Sequence, residues 1–390
     1  MFIREREMKK KYFFIITVGI ILFLQPLSAQ TWQKAKRISW NIGSSFTPTI
    51  AVDSSNRIHV FWLDSTPGND EIYYRKSTNK GVSWGTTQRL TWSSDHSGYP
   101  RAAFDSNEHI HLVWHDETPG NFEAYYKKST NHGVSWGPAK RLTWNAGASS
   151  RPRIAVDSND DIHVVWLDSS PGNHEIYYKK STNHGNTWGP AKRLTWDTAF
   201  TLNPEIAMDS NDNIHIVWGD YSSGNCEIYH KKSTDGGTTW VKKRITWNAG
   251  NSAYAVISID PNNNIHVAWS DESFGNTEIV YRRSTNGGTA WGTTKRLTWN
   301  AGFSSYPSIA SDSSTHVHVL WHDQTPDPDD VFYKRSINGG VTWQATKKPV
   351  SEFGYSEASA IATNSSNDIF IVWVEFVINN HEIFFKKGIQ

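Results

Sequence analysis

Ser181-Thr182-Asn183-His184-Gly185-Asn186-Thr187-Trp188 decides the architecture of this chain, because the octet does not occur only once. It returns with small changes at Ser77–Trp84, Ser129–Trp136, Ser233–Trp240, Ser284–Trp291 and Ser336–Trp343. Successive starts lie 52 residues apart, with a single step of 51 between Ser233 and Ser284. A fixed period of this length belongs to propellers and solenoid arrays, whose units bury their apolar faces against their neighbours. The octet itself reads as a tight turn. Asn183 offers its side chain to backbone amides two residues on, and Gly185 supplies a positive φ. Trp188 is large enough to anchor the hairpin by burying ~150–250 Å².

Working outward, one full unit runs from Ser150. Residues 150–157 form a first strand, Ile162 to Asp168 a second, Glu175 to Lys180 a third and Trp188 to Thr195 a fourth. All four are rich in β-branched and aromatic residues and are bounded by Gly, Pro, Asn and Ser. Pro171-Gly172 sits where a type II turn places this pair. Four short antiparallel strands per unit make a propeller blade.

The second strand recurs seven times, carrying Trp62, Trp114, Trp166, Trp218, Trp269, Trp321 and Trp373. Only six fourth strands follow an octet, and the chain stops just past a third strand. The missing piece lies at the other end, where Thr31 to Ile38 matches Thr187 to Leu194. The expected fold is therefore all-β, a seven-bladed β-propeller of four-stranded antiparallel blades, closed by the N-terminal strand completing the last blade. It fills residues 30–390 as a single domain, and closure removes a long unpaired edge. The 20 tryptophans fit the scheme without remainder: seven in second strands, seven opening fourth strands and six closing them.

The formal charge of +1 offers no electrostatic argument for nucleic acid. Lys9 to Lys11, the apolar run from Tyr12 to Leu24 and a small residue at Ala29 read as a signal peptide over 1–29. The run is short for a membrane span. Export to the periplasm or the medium follows as an expectation, with no membrane association after cleavage and a monomeric chain. Cys226 is alone, so no internal disulfide can form, and it reads as incidental rather than nucleophilic.

Loops joining the fourth strand to the next first strand, and the second to the third, share one face. There each blade offers a closing tryptophan (Trp40, Trp92, Trp144, Trp196, Trp247, Trp299) together with an Asp and a Glu. Flat aromatic surface beside fixed hydrogen-bonding groups suits a sugar ring, although these indoles could equally cap the blade junctions. Around the inner strands the repeat becomes uneven. Arg101 and Arg153 follow Pro100 and Pro152, while Thr49, Glu205, Val256, Ser308 and Ala360 stand at the equivalent places. Arg101, Arg153, Glu205 and Tyr254 would ring the channel mouth and suit an anion, with no third arginine at the equivalent site. His59, His111, His163, His215, His266 and His318 repeat once per blade, too far apart to share an ion. Turns such as Asp157 to Asp161 lack the Gly and the distal Glu of a calcium loop. No metal or cofactor is implied.

The octet has the form Ser-x-Asp-x-Gly-x-Thr-Trp and resembles the Asp-box of the sialidase-like superfamily, with Asn in place of Asp except at Asp235. The architecture also resembles seven-bladed propeller lectins. The resemblance implies a propeller whose boxes lie away from the active face. For sialidases it further implies three arginines clamping a carboxylate, a Tyr nucleophile paired with a Glu, and an Asp acid/base. They are usually six-bladed and carry Arg-Ile-Pro, whereas this chain has Arg37-Ile38-Ser39 and Arg153-Ile154-Ala155. The expectation is a non-catalytic exported propeller that recognises a glycan or an extracellular protein through repeated loop-face sites. The alternative is an exo-glycoside hydrolase acting at the channel mouth.

Overall fold

The structure is a computed structural model that describes residues 30–325, 329–350, 356–377 and 379–389. The segment read as a signal peptide lies outside the described residues. Seven antiparallel sheets follow one another along the chain. In blade three the strands are Ser149–Val156, Ile162–Asp168, Glu175–Ser181 and Lys192–Arg193, paired in sequence order. The N-terminal segment does close the ring. Thr31 and Trp32 pair with Ile389 and Gly388, and Lys36 and Arg37 with Phe385 and Phe384.

The second strand is buried along its whole length in blades one to six and over residues 369–375 in blade seven, which explains its near-continuous apolar sequence. Each blade is a filling between two others, so the core is a set of interblade layers. Tyr126, Val113 and Leu142 of blade two, for example, pack on Ile154, Val164 and Trp166 of blade three. The fully buried second-strand indoles donate Nε1–H to the acid two residues on, as Trp166 does to Asp168 Oδ2 at 3.0 Å.

Fourth strands are shorter than expected. The ladder covers two residues in most blades and a single Tyr333–Lys347 bridge in blade six. Blade four shows why. It has one residue fewer between Trp240 and Arg244, and there the ladder extends over Val241–Arg244. The extra residue elsewhere bulges the strand out of register before pairing starts. That same deletion accounts for the single 51-residue step. At the Ser170-Pro171-Gly172 loop, Gly172 N–H donates to Ser169 O at 3.0 Å, so Pro171 is the third residue of the turn. A type II turn needs positive φ at that place, which proline cannot adopt.

The octet bonds reach farther than two residues. Ser181 Oγ accepts Gly185 N–H at 2.9 Å, and Asn183 Oδ1 accepts Thr187 N–H at 2.8 Å. Two left-handed residues, His184 (φ 56°) and Gly185 (φ 77°), carry the chain round. Trp188 then packs edge-on against Tyr126 of the preceding blade at 5.2 Å, so the box pins blades together rather than one hairpin. Gly185 is required twice over, because a Cβ there would lie 2.1 Å from the Tyr126 hydroxyl. Gly185→Ala is expected to cost about 2–4 kcal/mol. Gly172→Ala, at φ 99° with nothing within 4 Å, should cost only about 1 kcal/mol. Urea denaturation of both variants checks the difference; equal losses would remove the interblade argument.

Candidate functional site

All seven blades contribute to the mouth of the central channel on the loop face. Its cavity of ≈ 520 Å³ is lined from Phe46 in blade one to Ser359 in blade seven. Each inner strand reaches it through a bulge: pairing in blade three jumps from Ser150–Leu167 to Arg153–Val165, leaving Arg151 and Pro152 out of the ladder. The residue before the proline position is left-handed in six blades: Thr47, Tyr99, Arg151, Asn203, Tyr254 and Tyr306, with φ between 43° and 55°. Such backbone costs a non-glycine residue ~1–3 kcal/mol, and strain of this kind gathers where side chains must be aimed. Four residue types share these six positions: threonine, arginine and asparagine once each and tyrosine three times.

The mouth collects Arg101, Arg153, Glu205 and Tyr254 as expected, and adds Arg151, Tyr99, Tyr306 and His322. Arg151 supplies the third arginine that the equivalent position lacks. The repeat hides it, because it precedes Pro152 instead of following it, at the place that tyrosines occupy in blades two, five and six. Arg153 Nε donates to Glu205 Oε1 at 2.6 Å, and Arg151 donates to Asn203 Oδ1. Arg151 also lies over the Tyr99 ring at 5.2 Å. Arg101 differs from both. Its guanidinium donates to Pro100 O at 2.9 Å, and among the described residues no carboxylate lies within ion-pair distance of it. Burial, and next the neighbouring Arg153 cation, push it down to about 10, still fully charged at neutral pH. Among the described residues the lining therefore sets three cations against one carboxylate. Tyr254 and Tyr306 pack at 4.6 Å, and burial together with the Tyr306 hydroxyl pushes Tyr254 up to about 12. Burial pushes His322 down to about 4, so it is neutral, and its Nε2 accepts Ser359 N–H at 3.1 Å.

The six closing tryptophans are placed differently. They are not buried caps but stand 59–69% exposed around the outer rim of the same face. Trp144 shows the pattern: Arg141 of its own blade lies 5.9 Å from the ring and Lys179 of the next blade 5.3 Å. The acids expected beside them are unavailable. Asp168 is fully buried under Trp166, Ser149 and Ser170, and buried Glu175 is paired with Arg193 at 2.9 Å.

The repeated histidines are held on both nitrogens. His163 Nδ1 meets the Tyr178 hydroxyl at 2.8 Å and Nε2 meets Asp157 Oδ2 at 3.0 Å. Among the described residues Asp312, His316 and His318 also cluster, but both His318 nitrogens are engaged by Tyr333 and Asp312. Asp157 Oδ1 accepts the amides of Asn159 and Asp161, as an Asx turn requires. Cys226 is buried, and burial pushes its thiol up to about 12.

The family model described as "BNR repeat-containing family member" matches residues 27–246. No match was found among curated proteins. Among solved structures, a polysaccharide lyase (an ulvan lyase bound to -[GlcA(1-4)Rha3S]-) superposes with a TM-score of 0.65 at 11% identity, covering 90% of this chain and 95% of that one. A protein of unknown function from Dyadobacter fermentans gives 0.59 at 11% identity, with 93% and 99% covered. The intramolecular trans-sialidase from Ruminococcus gnavus gives 0.54 at 12% identity, with 89% and 96% covered. Likeness at this level of identity speaks to the fold.

Proposed function

Because the chain belongs to the BNR repeat-containing family and closes a sialidase-like propeller, we propose that it is an exported carbohydrate-binding protein whose loop face holds an acidic saccharide without chemistry. One observation carries the reading: Arg101 sits in the channel mouth as a charged guanidinium with no carboxylate among the described residues within ion-pair distance, beside a second cation. A carboxylate or sulfate would relieve both desolvation and like-charge repulsion through a bidentate contact. The stacked tyrosines add flat surface for the sugar ring.

Hydrolysis of the sialidase type fits less well. A tyrosine nucleophile must be activated by an adjacent base. Here Tyr254 is pushed up to about 12 and meets Tyr306, while Glu205 is occupied by Arg153. On an array of acidic and neutral oligosaccharides that includes sialosides and oligogalacturonates, the protein should retain acidic members. Arg101→Ala should weaken them roughly 10-fold or more, the worth of one charge-assisted contact. Failure to retain any acidic member removes the reading. Turnover of a fluorogenic sialoside that is lost in Tyr254→Phe would replace it with hydrolysis.

A further inference from the structure

Six blade junctions on the rim repeat one arrangement that the channel mouth does not use. The exposed indole (Trp40, Trp92, Trp144, Trp196, Trp247, Trp299) follows an outer strand and leans toward the next blade. On its own blade an arginine approaches the ring, at 5.6 Å for Arg89 and Trp92 and 5.7 Å for Arg244 and Trp247. That arginine is neutralised, as Arg89 is by Glu71 at 2.8 Å. From the following blade comes a second cation: Arg75, Lys127, Lys179, Lys231, Arg282 or Lys334. It donates to a backbone carbonyl under the indole, Lys127 to Leu90 O at 2.7 Å and Lys179 to Leu142 O at 2.7 Å. Among the described residues none of these six has a carboxylate within ion-pair distance, so each junction keeps one uncompensated positive charge beside an open aromatic face.

Exposed tryptophan is costly to leave in water, and this one recurs at six junctions with its flanking cations fixed by hydrogen bonds. The indoles stand apart from one another, each framed by charge, instead of merging into the contiguous apolar patch that a protein partner needs. A pyranose offers what fits: an apolar face for the ring and polar edges, with a carboxylate or sulfate to meet the spare cation. Ordering is already built in, which lowers the entropic cost of capture. We infer that the six junctions are equivalent subsites for single acidic sugar units, so that one anionic polysaccharide is held by several at once. This rests on the loop face being a glycan surface, but not on the mouth being occupied. The seventh junction departs from the pattern, with buried Val350 in the place of threonine, and Ser351, in the place of the indole, lies outside the described residues.

The test uses the full mature chain with polygalacturonate as the acidic probe and dextran as the neutral one. Iodide quenching of tryptophan fluorescence should reveal an accessible set that polygalacturonate protects and dextran does not. Trp144→Ala alone should change retention on immobilised polygalacturonate only a few-fold. Replacing two, four and then all six indoles by alanine should lower it stepwise, by roughly 100-fold or more in total, as loss of multivalency requires. Melting curves for each step of the series separate lost sites from lost folding. Retention that survives the six-fold change but is lost in Arg101→Ala overturns the rim proposal and leaves the mouth reading standing. Retention lost with the indoles but kept in Arg101→Ala supports the rim and removes the mouth. Protection that depends on protein concentration alone identifies a second copy as the occupant and overturns the proposal, as does absence of any polygalacturonate binding.

Discussion

A chain starting at Asn41 is expected to lose most of its cooperative stability. The deleted segment contributes Ile38, fully buried among Ile50, Trp62, Val374 and Phe385 at the seam between blades seven and one. It also contributes Trp32, packed edge-on against Tyr333 of blade six at 5.3 Å. Glu382, fully buried at the side chain, would lose both Arg37 and Ser39. Deleting a buried isoleucine and a large aromatic costs about 2–5 kcal/mol each, and orphaning a buried carboxylate adds ~3 kcal/mol. The total rivals the whole stability of an ordinary domain. The loss does not stay local, because a ring with a free edge on blade seven exposes an unpaired strand to association with other chains. Thermal melting and size-exclusion chromatography of the shortened chain measure both effects. A synthetic peptide covering residues 30–40 should restore part of the melting temperature in trans. A shortened chain that melts like the full one would show that the seam is not held by its own first strand.

That closure was legible in the sequence because Thr31 to Ile38 copies a fourth strand and the last unit lacks one. Repetition makes the count of blades a matter of arithmetic, and each blade repeats one hydrophobic pattern. Contacts between units are harder to read. Nothing in the octet tells that Trp188 reaches Tyr126 of another blade, since the partners sit 62 residues apart and meet only through the ring. Bulges are equally silent: the shift between Ser150 and Arg153 aims Arg151 into the mouth, and alternation along a regular strand would have pointed it elsewhere. A signal did exist, for the six left-handed positions carry four different residue types around the ring. The rim indoles stand out in the sequence as one repeated position, but their exposure and the spare cation beside each are properties of the junction between two blades.

Acid should undo this fold well above the pH at which its carboxylates alone would. Unfolded histidines titrate near 6.5. Burial, and then the His96 charge, pushes His115 down to about 3; burial opposed by the Asp209 hydrogen bond leaves His215 at about 4. Burial, then the His215 charge, pushes His230 down to about 3, and burial leaves His322 at about 4. Between pH 6.5 and those values the unfolded chain binds protons that the folded chain does not, so stability falls as pH falls through that window. Each such histidine removes about 3 kcal/mol by pH 4. The blade aspartates act lower down: burial raises Asp53, Asp209 and Asp260, but their hydrogen bonds outweigh it, so their contribution persists until the pH drops below the ordinary carboxylate range. His230 makes the argument separable. In five other blades its place is taken by a tyrosine that meets the strand histidine, as Tyr74 meets His59 at 2.8 Å, whereas His215 faces His230 at 3.0 Å. His230→Tyr should fit against Gly288 as Tyr178 fits against Gly237. It is expected to add about 1 kcal/mol at pH 7, as repeat-consensus changes do, and to spare about 3 kcal/mol more at pH 4. Urea titrations at pH 7.5, 6, 5 and 4 read both. A variant whose stability falls with acid as steeply as that of the native chain would show that the buried histidine pair does not set the acid limit.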